Sequence, residues 1–440
     1  MAAKSNSAPS GPLDGLPAAP QWNNPRVHMW RTFATFMGFF IMGCNDAVYG
    51  ALIPYLEVYY RKDYTTISLI FLSPLVGYTA SALLNNLIHI HNGQRGVAFL
   101  GAGTRLISYI VIAVHPPYPV LVIVFILAGF GNGLEDAGWN AMIGTMQNAN
   151  QLLGLLHGFY GLGGTVAPLI ATTMVVKGRL PWYYWYYLMI ALSTCELVFA
   201  VTAFWSANGK QYQATLTSQT GPDDAKGGRI REALSNRVTW ICAFFLLTAV
   251  GIEVAVGGWT VTYMLRIRHT SPFNAGMSVT GYWAGMTAGR VVLGFITPLL
   301  GERLAIFIYV ASATAAHLLF WLVPLFAVST TGIAFVGFFL GPFFPAAVSA
   351  AAKLLPKHLH VGAIGFAAAF GAAGACVLPF AVGGIAQAKG VQVLMPIVLA
   401  MLVLDGGIWA LLPSLRGRER KVGMDDEEGV GNGDEEKVAL

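Results

Sequence analysis

Residues 38–55 read GFFIMGCNDAVYGALIPY, and residues 246–263, 208 positions further on, read LLTAVGIEVAVGGWTVTY. Gly43, Ala47, Val48, Gly50 and Tyr55 of the first stretch meet Gly251, Ala255, Val256, Gly258 and Tyr263 of the second. Both are apolar enough to lie in hydrocarbon, yet one carries Asp46 and the other Glu253. The same offset carries Gly77, Thr79 and Ala80 onto Gly285, Thr287 and Ala288, and Gly93-Gln94-Arg95 onto Gly301-Glu302-Arg303. It also carries Gly129-Phe130 and Gly133 onto Gly337-Phe338 and Gly341. One constant spacing through several apolar runs and a polar turn indicates a duplicated unit. Parallel repeats of this kind belong to membrane carriers whose halves rock around a central site.

Composition supports a bilayer. Hydrophobic residues make up 55% of the chain and charged residues 11%, against about 25% charged in soluble proteins. The apolar residues fall in twelve runs of about 20, the length a hydrocarbon core requires. They lie at 30–56, 65–88, 97–114, 119–147, 152–177, 181–206, 238–265, 275–299, 303–322, 325–350, 359–386 and 391–413. The fold class is therefore an all-α membrane protein, twelve transmembrane helices in two pseudo-symmetric six-helix halves. Residues 1–29 form a polar, disordered start, 30–206 the first bundle, 207–237 a polar linker and 238–413 the second bundle. Residues 414–440, basic and then acidic, form a disordered tail.

Orientation follows from Lys and Arg. With both termini in the cytosol, 17 basic residues lie inside and 7 outside, leaving Arg105 and Arg290 within spans. The positive-inside rule favours that arrangement. The plasma membrane is the default location, the vacuole or another internal membrane the alternative, and a monomer is expected. The net charge of +5 is scattered between apolar runs, so no nucleic-acid partner is expected. Cys44, Cys195, Cys242 and Cys376 all fall in apolar runs and read as small core residues. No Walker loop, Cys-x-x-Cys or His-Glu-x-x-His is present, which argues against an enzyme and against any cofactor or metal.

The informative residues are ionisable groups stranded in apolar helices, where a charge needs a partner, water or a proton. The acids are Asp46, Glu135, Asp136, Glu196, Glu253 and Asp405. Asp46, Glu135 and Glu253 lie roughly 15 residues from their span starts, near mid-depth at about 1.5 Å per residue. Asp46 shares a helix face with Gly43, Tyr49 and Gly50, and Glu135 with Gly131 and Trp139. An acid beside small and aromatic residues suits a polyol: the carboxylate accepts hydroxyl hydrogen bonds while a ring stacks on the apolar face. Adjacent Glu135 and Asp136 point about 100° apart, so only one can face a central cavity squarely. Trp139, Tyr160, Trp259 and Trp283 are candidate stacking platforms, and His157 and His317 candidate proton relays. The run from Trp182 to Tyr187 reads as an interfacial aromatic belt. Helices five (Gly161, Gly163, Gly164, Pro168) and eleven (Gly371, Gly374, Pro379) echo each other in residues that suit sliding surfaces.

The loop Asn92-Gly93-Gln94-Arg95 resembles the signature that follows helix two in the major facilitator superfamily, although His89 and His91 stand where the signature has its aspartate. Gly289-Arg290, Gly294 and Gly301-Glu302-Arg303 resemble its second-half copy more closely. Gly43-Cys44-Asn45-Asp46, Gly131-Asn132-Gly133-Leu134-Glu135 with Asn140, and Glu253 with Gly257-Gly258-Trp259 resemble the fucose:proton symporter branch, its glucose-transporting relatives and similar fungal chains. The resemblance implies proton-coupled uptake of a sugar or sugar-like small solute, with no cofactor. It assigns proton and solute binding to Asp46 and Glu135, helped by Asn140, Glu253, Trp259, Trp139, Tyr160 and His157. It assigns conformational switching to Arg95, Arg290 and Arg303. Helices six and twelve lie outside the cavity in this fold, which implies structural roles for Glu196 and Asp405. The alternatives are a proton-antiport exporter of a metabolite or drug and a non-transporting sensor on the same fold.

Overall fold

The computed structural model describes residues 20–219, 226–356 and 359–413. The expected disordered start before residue 20 and the tail from 414 lie outside these residues. Among the described residues, eleven helical runs are long and apolar enough to cross a membrane. One of them, Tyr64–Ala113, spans 50 residues; at 1.5 Å per residue it would measure about 75 Å, more than twice a hydrocarbon core. It holds two crossings, because Gly93 takes φ 66° and ψ −163° and turns the chain.

Numbered as crossings, α1 is Arg26–Tyr60, and α2 (69–92) and α3 (94–113) are the two parts of Leu69–Ala113. Then follow α4 (Tyr118–Gly144), α5 (Ala149–Thr172) and α6 (Tyr184–Ala203). The second half contains α7 (Arg237–Arg266), α8 (Pro272–Leu300) and α9 (Glu302–Leu322). In α10, Phe326–Leu340 and Phe343–Leu354 are separated at Gly341-Pro342, and α11 (His360–Lys389) and α12 (Leu394–Ala410) complete the bundle. The polar linker holds two short helices, Gly209–Gln219 and Lys226–Ser235.

Where a loop is expected over 89–96, the helix runs on to residue 92 and restarts at 94. The reason is local. A Cβ on Gly93 would meet Ala207 O at 2.3 Å, and Arg95 N donates to the same carbonyl at 3.0 Å. Only glycine combines this positive φ with so close a backbone approach. Arg95 itself lies over Trp205, 5.2 Å from the ring centroid. The turn is thus pinned under the end of α6.

The 208-residue repeat extends from residues to contacts. A Cβ on Gly77 would sit 2.0 Å from Ile126 O, and one on Gly285 2.0 Å from Ala334 O, the position 208 later. Gly129 meets Pro74 as Gly337 meets Tyr282, and Gly133 meets Tyr78 and Ser81 as Gly341 meets Met286 and Gly289. In each half, glycines without side chains let helix backbones touch, which is how helices associate when lipid and side chains are equally apolar.

The halves meet along α1–α7, α2–α11 and α5–α8. Gly50 lies against the Gly257 carbonyl and Gly383 against Ser68. On α5–α8, Gly161 meets Thr287, Gly164 meets Trp283 and Thr172 meets Gly276, so the two helices run antiparallel in register over this contact, position for position to within one residue. The ends away from the linker are tied by Arg266 to Glu57 at 3.2 Å and by Tyr64 N to Gln387 at 3.0 Å. Toward the linker the α5–α8 contact stops: Gly154, Gly158 and Gly294 have nothing within 4 Å of an added Cβ. The halves are closed on the far side and parted on the linker side.

Two smaller expectations change. Trp182, Trp185 and Tyr186 are buried and Trp182 packs on Tyr59 and Tyr60, so only the remainder of the aromatic run can serve an interface. Cys195 is exposed, while Cys44, Cys242 and Cys376 are buried as small core residues.

The duplicated contacts predict matched penalties. Gly77→Val and Gly285→Val should each lower thermal stability in detergent, by at least the 1–3 kcal/mol typical of overpacking, roughly. Gly384→Ala, with open space around it, should change little. Unfolding followed by intrinsic fluorescence would check this; an unchanged midpoint for either valine variant would contradict the packing.

Candidate functional site

Asp46 stands midway along α1, half-buried, where α1 faces α4 and α5. Its Oδ1 accepts from Asn45 Nδ2 at 2.9 Å and from Asn132 Nδ2 at 3.3 Å. Its Oδ2 accepts from the Tyr160 hydroxyl of α5 at 3.1 Å. Three donors on one carboxylate satisfy a charge that hydrocarbon would not tolerate. Tyr160 also faces the other half: the Arg290 guanidinium of α8 lies 5.9 Å from its ring centroid, within cation–π range. Arg290 in turn donates to both oxygens of Glu253 on α7, at 2.8 and 3.0 Å. The chain Asp46–Tyr160–Arg290–Glu253 therefore crosses from one bundle to the other.

Toward the linker side, a second polar group lies on the same seam. Asn140 Nδ2 donates to Asp136 Oδ1 at 2.9 Å, and its Oδ1 pairs with His157 Nε2 at 3.2 Å. The His157 ring lies 5.9 Å from Phe344 of the second half. Asp136, Asn140 and His157 are all half-buried. Their hydroxyl-accepting and donating groups, with the ring of Tyr160, supply the mixture of polar atoms and aromatic faces that a polyol requires.

Glu135 is not part of this seam. It is fully buried inside the first bundle, where Arg105 Nη2 donates to it and also to Glu196 of α6. The expectation that Glu135 contacts solute is corrected. Of two neighbouring acids about 100° apart on a helix, the one turned toward Arg105 is Glu135, which leaves Asp136 facing the seam. Glu196 has a definite partner in Arg105, while Asp405 accepts from the Thr248 hydroxyl within the second bundle. His317 is buried and bonded to Met395 O at 2.9 Å, away from the seam.

The tryptophans are packing residues. Trp139 stacks on Phe204 with centroids 4.6 Å apart, and Trp259 is buried with Nε1 donating to Pro379 O at 2.8 Å. Neither offers an open ring face, because large indoles are drawn into the dry interior where their N–H finds an acceptor. Trp283 is wedged between Gly164 of α5 and Gly257 of α7, at the contact between halves. Arg95 and Arg303 lie at the ends of α6 and α12, away from the seam: Arg95 donates to Trp205 O at 3.5 Å and lies over the Trp205 ring, and Arg303 donates to Ala410 O at 3.4 Å. Arg290, grouped with them by sequence, instead sits in the central chain. Among the described residues no cluster of metal-ligating side chains occurs.

Two duplicated helical bundles meeting at a polar, charge-paired seam define a membrane carrier. The comparisons place it more closely. The Major Facilitator Superfamily profile matches residues 35–379, and the chain belongs to that family. It is 27% identical over 420 residues to "Bypass of stop codon protein 6" of Saccharomyces cerevisiae, covering 88% of this chain and 84% of that one. It is 21% identical to the glucose/mannose transporter GlcP of Bacillus subtilis, covering 84% and 91%. It is 25% identical to a glucose/galactose transporter of Brucella abortus, covering 83% and 90%. A solved D-xylose-proton symporter shares the fold with a TM-score of 0.70 at 14% identity, covering 88% of this chain and 99% of that one. The protein is a multi-pass membrane transporter.

The Arg290–Glu253 pair predicts a stability effect independent of any solute. Arg290→Ala strands a buried carboxylate and should cost about 3–5 kcal/mol, the range for breaking a buried pair. Glu253→Gln with Arg290→Met should recover most of it. Thermal unfolding of the purified variants checks this; equal stability of Arg290→Ala and wild type would contradict the pairing.

Proposed function

We propose that this transporter takes up a sugar or sugar-like polar solute together with a proton, by alternating access. The observation that carries the reading is the chain Asp46–Tyr160–Arg290–Glu253, because it joins the two halves at mid-depth through groups that hydrogen-bond hydroxyls. A solute inserted there would replace protein–protein bonds with its own and couple its occupancy to the approach of the halves. Asp46 is the coupling carboxylate: it is half-buried, held by neutral donors, and has no cation bonded to it. Protonation removes a charge that the seam must otherwise stabilise, so the loaded carrier can reorient without an unanswered carboxylate at the seam. The glucose/mannose, glucose/galactose and xylose–proton names of the relatives and of the structural neighbour support a sugar and a proton.

The excess of Lys and Arg on the linker side supports a cytosolic linker and termini. With that orientation the structure is inward-facing, closed by Glu57–Arg266 and Tyr64–Gln387 at the outer surface. The default site of action is the plasma membrane, as a monomer.

The test is uptake of a radiolabelled hexose, pentose and polyol panel into proteoliposomes under an imposed pH gradient. Asp46→Asn should abolish gradient-driven accumulation while solute counterflow persists. Tyr160→Phe, which loses one hydrogen bond to a charged group worth about 1.5–3 kcal/mol, should weaken apparent affinity roughly 10- to 100-fold. Unchanged proton-driven uptake and pH dependence in Asp46→Asn would end this assignment. Expulsion of an amphipathic compound with no uptake of any panel member would replace it with an exporter.

A further inference from the structure

Behind the seam, entirely within the first bundle, one arginine faces two acids. Arg105 of α3 is 0% exposed, Glu135 of α4 is 0% and Glu196 of α6 is 1%. The same nitrogen, Arg105 Nη2, donates to an oxygen of each carboxyl group. Both oxygens also crowd Gly38 of α1, where an added Cβ would lie 2.7 Å from Glu135 Oε2 and 3.0 Å from Glu196 Oε1. Gly38 is thus the notch that lets two carboxyl groups share one guanidinium.

Charge counting decides what these groups carry. One guanidinium balances one carboxylate, and a second uncompensated anion in a dry interior is strongly disfavoured. Among the described residues no other cation pairs with them: α1 contributes the Gly38 carbonyl, α3 the neutral Tyr109 hydroxyl, and α4 Asn132 and the Trp139 indole. Glu135 Oε1 and Glu196 Oε2 accept no hydrogen bond in the protein, so either can carry a proton without displacing a donor.

We infer that Glu135 and Glu196 form a proton-binding site, a carboxyl pair that shares a single proton on Arg105 and communicates with Asp46 through Asn132. The link is explicit. Arg105 Nη1 donates to Asn132 Oδ1 at 3.4 Å, and Asn132 Nδ2 donates to Asp46 Oδ1 at 3.3 Å. Asn132 can hold both bonds only while Arg105 stays in place, and Arg105 stays in place while the pair holds one net negative charge. A change of protonation at the pair therefore alters the support of the seam carboxylate. Glu196, far from the seam on α6, becomes a positioning residue for Asp46. The role in transport rests on the reading of Asp46 as coupling carboxylate; the shared proton does not.

The test separates the two. Infrared difference spectra of reconstituted protein under a pH step report protonated carboxyl groups directly and need no solute. With both glutamates present, the protein should show a buried carboxylic-acid C=O band at neutral pH. Glu196→Gln and Glu135→Gln should each abolish it, because the remaining carboxylate then takes Arg105 alone and ionises. All spectra are compared in an Asp405→Asn background, because Asp405, buried in the other bundle and held by Thr248 with no cation paired to it among the described residues, would contribute a carboxylic-acid band of its own. Absence of the band with both glutamates present, or its persistence in both glutamine variants, would overturn the shared proton. Either glutamine variant suffices if the other does not fold. For coupling, Glu196→Gln should lose pH-gradient-driven uptake of D-glucose, or of whichever panel sugar is transported, and keep counterflow of the same sugar. Intact gradient-driven uptake, or loss of both activities together, would overturn the coupling role and leave the infrared result standing.

Discussion

The Arg290 guanidinium is the interaction on which the rest turns. It neutralises Glu253 within its own half and lies over the Tyr160 ring of the other half, whose hydroxyl holds Asp46. Hydrocarbon imposes this economy: every charge near mid-bilayer must be answered by a counter-charge, a set of donors or a proton. The chain uses all three. Glu253 has a counter-charge, Asp46 has three neutral donors, and the Glu135–Glu196 pair has one arginine for two acids. At the seam between the halves, Asp46 and Asp136 are bonded only by neutral donors.

Glycine packing makes each half a unit that the proposed alternating access would move as a whole. Within each half, glycines bring backbones into contact at positions related by the repeat, Gly77 and Gly285 on α2 and α8, Gly129 and Gly337 on α4 and α10. Such contacts leave little freedom, since interiors of this density accept displacement only as whole elements. Between the halves the α5–α8 contact has the same character on the far side and is absent on the linker side. Carried along its register, Gly154 would face Gly294. The seam is built to close there without side chains in the way.

Much of this was readable from residues alone. The repeat and the twelve crossings followed from spacing, Asp46, Glu253 and Arg290 stood out by the cost of charge in lipid, Tyr160 and His157 as an aromatic and a titratable residue within spans, and Asn140 came with the family resemblance; the roles of these residues in transport are proposals. What spacing does not supply is which face of a helix looks inward when all its faces are apolar or small. Helix α4 is such a case, and Glu135 and Asp136 could not be assigned to interior and seam until Arg105 and Glu196 were in place. Trp139 and Trp259 were misread as platforms for the same reason: an aromatic beside an acid marks proximity, not exposure. Gly93 shows the opposite limit. A polar turn between two spans looks like a loop, yet a single glycine under the Ala207 carbonyl suffices to reverse the chain.

The account stands or falls on two rigid bundles pivoting about the Asp46–Arg290 seam. The direct measurement is a pair of spin-label distances in lipid nanodiscs, one between the exposed positions 155 and 295 beside the glycine faces on the linker side and one between positions 61 and 268 on the far side. Adding the transported solute at acidic pH should shift the populations in opposite directions, shortening the first distance and lengthening the second. Distances that stay fixed together, or lengthen together, would contradict it.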